Sequence, residues 1–149
     1  MMEAMHSILL SLASNHEQEK NLGEAREALA QVLVSPDYTP AIWTEPYGKK
    51  QLSSSSHLSP LTSHPSKYLN QLVSAQISLD SDELILRLKE IEKAQGRDDE
   101  ARRQGLVPID LDLLLYDQQR FHLRDWQRPY IQQLLPELSN QLVIPGEHH

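Results

Sequence analysis

Apolar and polar residues alternate along this chain with two distinct periods. Ile8 to Leu12 is an apolar run broken only by Ser11 and followed by the polar pair Ser14-Asn15, the pattern of a buried strand. Leu22, Ala25, Leu29, Val32 and Leu33 recur at three- and four-residue intervals, which predicts a helix over Asn21 to Leu33, stopped by Ser35-Pro36-Asp37. Tyr38 to Thr44 contains the β-prone group Ile42-Trp43-Thr44 before Pro46 and Gly48, so a second strand is expected to end near Thr44. Lys49 to Ser66 is serine-rich, carries Pro60 and Pro65 and lacks apolar periodicity; a long mobile loop is expected there.

Beyond that loop, Leu69, Gln71, Val73, Ala75, Ile77 and Leu79 occupy alternate positions and predict a strand over Tyr68 to Leu79. Asp80 or Ser81 caps the next helix, whose stripe is Leu84, Leu88 and Ile91 and whose end is marked by Gly96. Arg97 to Gln104 is charged and reads as irregular, and Pro108 opens a strand from Ile109 to Tyr116. Tyr130 to Leu135 reads as a short helix ending at Pro136, and residues 145–149 as a tail. The order strand, helix, strand, strand, helix, strand is the ferredoxin-like α+β pattern βαββαβ, an antiparallel sheet with both helices on one face.

Composition narrows what this fold can do. A chain of 149 residues is expected to form one domain over 1–149. Fourteen Lys and Arg against 21 Asp and Glu leave a net charge of -7, which disfavours a polyanion binder, so neither nucleic acid nor membrane is an expected partner. The absence of cysteine excludes a disulfide scaffold, a thiolate zinc site and a cysteine nucleophile. Ile8 to Leu12 is too short for a membrane span and lacks the flanks of a signal peptide, so a cytoplasmic protein, monomeric rather than oligomeric, is expected. The five glycines are dispersed, and no Walker loop or dinucleotide fingerprint is present.

The sharpest chemical signal is Ile109-Asp110-Leu111-Asp112-Leu113-Leu114-Leu115. On a strand, Asp110 and Asp112 share one face about 7 Å apart, while Ile109, Leu111, Leu113 and Leu115 are expected on the other. Two carboxylates so placed suit a hard cation such as Mg²⁺, with phosphate oxygens completing its shell; the alternative is a solvent-facing strand with two hydrated acids.

The ordered set "LLSLASN", "TEPYG", "YLNQLV", "LKEIEKAQGR" and "PIDLDLLLY" resembles the 6-hydroxymethyl-7,8-dihydropterin pyrophosphokinase family of folate biosynthesis, from about Ile8 to Leu138. The resemblance implies a ferredoxin-like fold, ATP and a reduced pterin as small-molecule substrates, and two Mg²⁺ ions held by Asp110 and Asp112. It implies a pterin pocket of Thr44, Glu45, Pro46, Tyr47, Tyr68, Asn70 and Tyr130, with the heterocycle stacked between aromatic rings and read by an amide. For ATP it implies Lys89, Glu92, Arg97, Arg103, Leu113 and Arg128. The chain departs from the family's "RWGPRT" in "RQGLVPID": Gln104 stands at a tryptophan position and Val107 at an arginine position. Asp99 replaces a basic residue, Ala13 replaces a glycine, and a Pro-His segment after the last strand is missing. Arg120, Arg124 and Arg128 recur every four residues, a spacing that would place them on one basic face. These departures keep a second reading open, a catalytically weak or inactive homologue that binds pterin, nucleotide or a protein partner.

Overall fold

The computed structural model describes residues 4–45 and 67–138. The expected loop 49–66 and tail 145–149 lie outside the described residues, as do Pro46 and Tyr47. The elements are β1 (His6–Ser14), α1 (Gln18–Leu29), β2 (Val34–Tyr38), β3 (Ile42–Thr44), β4 (Tyr68–Ile77), α2 (Ser81–Ala94), α3 (Asp99–Arg103), β5 (Asp110–Tyr116), β6 (Gln119–Arg120) and α4 (Pro129–Leu134). A 3-10 turn, Leu123–Gln127, precedes α4, and another, Leu135–Glu137, follows it.

The strands form one antiparallel sheet in the order β2-β4-β1-β5-β6, with β3 continuing the β2 edge alongside β4. β1 is central because both faces of its apolar run are covered, which only an inner strand between two packed layers allows. On one face Ile8, Leu10, Leu12, Leu69, Val73, Ala75, Ile77, Leu111 and Leu113 pack under Leu22, Ala25 and Leu29 of α1 and Leu84, Leu88 and Ile91 of α2. The opposite face carries a second core of Leu9, Leu72, Leu114, Leu115, Trp126, Tyr130, Ile131 and Leu134. The two long helices therefore share one face as expected, but α4 covers the other.

Several boundaries also move. The first helix runs earlier than expected, and Val32 and Leu33 pack at helical spacing because both donate back to the Leu29 carbonyl in a terminal turn. Ser35-Pro36-Asp37, expected as a stop, lies in edge strand β2 at a register shift, with Ser35 at φ 54°; an edge bulge tolerates a proline that a central strand would not. The expected single strand over Tyr38 to Thr44 is two, because the Thr39 hydroxyl accepts from Leu72 N–H at 3.0 Å while Thr39 N–H donates to Leu72 O at 2.9 Å. Arg97 to Gln104 is not irregular throughout: Asp98 accepts from Ala101 N–H at 2.8 Å and caps α3. Asp80 caps α2 in a capping box with Glu83.

Strand β5 contains the consequential correction. Leu9 opposes Leu115 but Leu10 opposes Leu113, so Leu114 is an extra residue in a bulge. The alternation slips there, and Leu115 turns to the face of Asp110 and Asp112 instead of the opposite one. Leu9, Leu114 and Leu115 thereby form an apolar base on the face that carries the acid pair.

Candidate active site

Sheet register assembles the site. Across β4, β1 and β5, Asn70 opposes Ala13 and Ala13 opposes Asp110; one step along, Leu72 opposes Ser11 and Ser11 opposes Asp112. Opposed residues share a face, so Asn70 and Asp110 stand about 10 Å apart across two strand spacings, with only an alanine side chain between them. The small residues of β1 leave a cleft of about 170 Å³ lined by Ala13, Tyr68, Asn70, Asp110, Asp112, Asp125, Arg128 and Tyr130. Six residues singled out from sequence thus meet there: Tyr68, Asn70, Asp110, Asp112, Arg128 and Tyr130.

The cleft is strongly acidic at one wall. Asp112 is pushed up to about 7 by burial, by the charge of Asp110, and further by Glu92 and Asp125. Asp110 accepts from Arg97 Nη1 at 2.7 Å, and the same nitrogen lies 3.1 Å from Glu92 Oε2. Glu92 also accepts from Leu111 N–H at 2.7 Å, occupying a backbone donor that no strand satisfies at this edge of β5. Burial raises the Glu92 carboxyl above its ordinary range. Glu92 and Arg97 therefore bind this end of β5 to the end of α2 and orient Asp110. His122 Nε2 lies 3.7 Å from Asp112 Oδ1 at the opposite side of the pair.

At the other wall, Asn70 is buried and its amide nitrogen donates to Thr44 Oγ1 at 2.8 Å and to the Ile42 and Tyr68 carbonyls at 3.3 Å. With its donors so engaged, the amide offers a ligand chiefly its carbonyl oxygen. Burial and the charge of Asp110 hold the Tyr68 hydroxyl above its usual range. Tyr130 is buried against the second core at the start of α4, where Pro129 fixes the first helical position. Arg128 Nε donates to Asp125 Oδ1 at 2.9 Å.

The remaining expected residues lie outside the cleft lining. Thr44 sits at the end of β3 and reaches the site through Asn70. Glu45 is exposed and lies 3.6 Å from Lys67. Lys89 is on the exposed side of α2, and Arg103 on α3 pairs with Glu100. Leu113 is buried under the helices, so only its backbone is available to a ligand at that strand. Arg120, Arg124 and Arg128 do not share a helix face. They fall in β6, in the 3-10 turn and just before α4, and Arg120 lies over the Trp126 ring at 5.3 Å.

Sequence reasoning missed Asp125 and His122 and valued Ala13 only as a departure. The i,i+3 pair Asp125 and Arg128 beside Tyr130 was the available signal, but it becomes a site only when the chain folds back over the sheet. The paired oxygens of Asp110 and Asp112 form a donor set suited to a hard divalent cation, since ionising both carboxylates is disfavoured without one. Among the described residues no group of three or more His, Asp or Glu is arranged to hold a metal unaided.

The sequence profile of the 7,8-dihydro-6-hydroxymethylpterin-pyrophosphokinase family matches residues 9–147, nearly the whole chain. The chain belongs to that family. Two plant proteins are similar to this pyrophosphokinase-family chain over part of its length. The folate synthesis bifunctional protein of Arabidopsis thaliana is 34% identical over 73 residues, 44% of this chain and 15% of the relative. The mitochondrial folate synthesis bifunctional protein of Pisum sativum is 38% identical over 85 residues, 52% of this chain and 16% of the relative. The chain thus spans about a sixth of the length of these curated relatives. A crystal structure of Plasmodium falciparum HPPK-DHPS with pteroate matches the fold at TM-score 0.65 and 11% identity, over 97% of this chain and 41% of that one. A second, with SDX-DHP, matches at TM-score 0.54 and 12% identity, over 92% and 35%. No helix among the described residues is long and apolar enough to cross a membrane.

Proposed function

We propose that this chain, as one domain of ferredoxin-like topology, transfers the pyrophosphoryl group of ATP to the hydroxymethyl oxygen of 6-hydroxymethyl-7,8-dihydropterin, giving the pterin diphosphate and AMP in folate biosynthesis. The observation that carries the reading is the register row Asn70, Ala13, Asp110. It sets an aromatic and amide wall facing an acid pair across a gap, in a chain of the pyrophosphokinase family. The strand order, with α1 and α2 on one face, supports the ferredoxin-like topology.

In this reading Tyr68 and Tyr130 hold the heterocycle between them, and the Asn70 carbonyl accepts from its amino edge. Arg128, which lines the same cleft, meets the polyphosphate. Asp110 and Asp112 would hold Mg²⁺, which would supply charge neutralisation to the polyphosphate. The hydroxymethyl oxygen attacks the β-phosphorus, the bond from that phosphorus to the oxygen retained by AMP breaks, and the hydroxyl proton is released. Glu92 and Arg97 keep Asp110 in place throughout. The second core of Leu9, Leu72 and Leu115 packs Trp126 and Tyr130 and so braces the wall that carries Tyr130. Catalysis is then mostly positioning and electrostatics, as phosphoryl transfer requires.

One observation favours a second reading, a weak or non-catalytic binding module. Cations near the site are engaged by the chain's own acids, Arg97 by Asp110 and Glu92 and Arg103 by Glu100, while Gln104 and Val107 stand where the family resemblance expects a tryptophan and an arginine. The deciding assay follows AMP released from ATP with the reduced pterin and Mg²⁺, beside thermal shifts with each component and all three. Transfer requires AMP formation dependent on pterin; a thermal shift without AMP supports the binding module.

A further inference from the structure

The turn between β6 and α4 holds two cleft residues in a fixed relation. Residues three apart eclipse in a 3-10 turn, and Asp125 and Arg128 are so spaced. Arg128 N–H donates to Asp125 O at 3.0 Å, and Arg128 Nε donates to Asp125 Oδ1 at 2.9 Å. Both residues line the cleft. The turn itself is anchored. Trp126 is buried with Leu9, Leu72, Leu114 and Leu115. Its indole N–H donates to Phe121 O at 3.0 Å, and its own carbonyl accepts from Gln132 Nε2 at 2.6 Å. The backbone beneath Arg128 is therefore held in place, and Asp125 engages its side chain at Nε.

Asp125 is an odd residue for a cleft that takes a polyphosphate. A third carboxylate beside Asp110 and Asp112 repels an anion, so simple electrostatics says its removal should tighten nucleotide binding. Its compensating feature is the bond to Arg128, which fixes the plane of a guanidinium whose rotamer freedom would otherwise be lost on binding. We propose that Asp125 is a positioning residue for nucleotide binding, holding Arg128 in the orientation that meets a phosphate of ATP. The proposal rests on the reading of the cleft as an ATP and pterin site.

The test is a double-mutant cycle on the full chain, titrated with a non-hydrolysable ATP analogue and Mg²⁺ by calorimetry, with each variant's fold checked by circular dichroism. Asp125→Ala is expected to weaken the analogue about tenfold, the loss of one charge-assisted hydrogen bond. Asp125→Asn, which keeps an acceptor for Nε, is expected to restore most of that loss. In an Arg128→Ala background, Asp125→Ala is expected to add nothing. In turnover, Asp125→Ala is expected to raise KM for ATP more than it lowers kcat. Tighter or unchanged binding in Asp125→Ala, an Asn variant as weak as the Ala variant, or additive single effects would each overturn the proposal. A wild-type chain that binds the analogue and forms AMP while Asp125→Ala binds normally removes the proposal alone. A wild-type chain that does neither removes the reading of the cleft and the proposal with it.

Discussion

At the scale of single residues, the two aspartates of β5 look equivalent in sequence and are not equivalent in the fold. Asp110 is stabilised by Arg97 at 2.7 Å, whereas Asp112 is buried among like charges and raised to about 7. Replacing either with asparagine is expected to abolish AMP formation, but the stability effects should differ. Asp110→Asn removes an ion pair that is a third exposed on both sides, worth about 1 kcal/mol after solvent screening, and relieves part of the repulsion on Asp112. Asp112→Asn removes the repelled charge itself and loses no strong partner. Urea denaturation at pH 8 is therefore expected to rank Asp112→Asn above wild type and above Asp110→Asn. The opposite ranking would mean that Asp112 is ionised and well solvated. Sequence alone showed that the pair shares a face; it did not show the asymmetry, because the partner Arg97 lies 13 positions away in the segment between α2 and α3.

At the scale of elements, the strands and two long helices were legible because their apolar periods are strong and their caps local. What was not legible came from pairing. The Leu114 bulge depends on how β5 meets β1, and α3, β6 and the 3-10 turn are too short to leave a period. The cleft was legible as a set of residue types, through Asp110, Asp112, Tyr68 and Asn70, but its floor was not, because an alanine carries no chemical signal. Ala13 is a floor only by register, and this makes a prediction. Ala13→Leu adds bulk between Asn70 and Asp110 and is expected to weaken pterin binding by 10-fold or more, an overpacking effect of about 1–3 kcal/mol, with the sheet retained by circular dichroism. Unchanged pterin affinity in a folded Ala13→Leu variant would place the pterin elsewhere. A second element-level device is Asn15, just past β1. Its side chain donates to Gly105 O at 3.1 Å and accepts from Val107 N–H at 2.6 Å, so it ties down the segment leading into the acid pair. Asn15→Ala removes both bonds, to an exposed Gly105 and a half-buried Val107, and is expected to cost about 1 kcal/mol in denaturant unfolding.

At the scale of the whole molecule, the acid wall makes stability a function of pH. Asp112 titrates near 7 in the fold and near 3.9 in an unfolded chain, so between those values the native state holds a proton that the unfolded state has lost. Stability from this group is then full below about pH 4, falls as pH rises through about 7, and is flat above. Glu92, also raised by burial, acts in the same direction. The remaining carboxylates shape the acid limb, so the signature is a difference between proteins. The gap between Asp112→Asn and wild type is expected to widen in the variant's favour from pH 5 to pH 8, reaching a few kcal/mol or several degrees in Tm. A cation that binds the ionised pair reverses this cost by mass action. Millimolar Mg²⁺ with an ATP analogue is therefore expected to raise the wild-type Tm at pH 8 and to do much less for Asp112→Asn. The same additions at pH 5, where the proton competes for the site, should move wild type less. An equal Mg²⁺-dependent shift in both proteins at pH 8 would show that the cation is held somewhere other than the Asp110 and Asp112 pair. A gap that stays constant with pH would show that Asp112 is already ionised across the range.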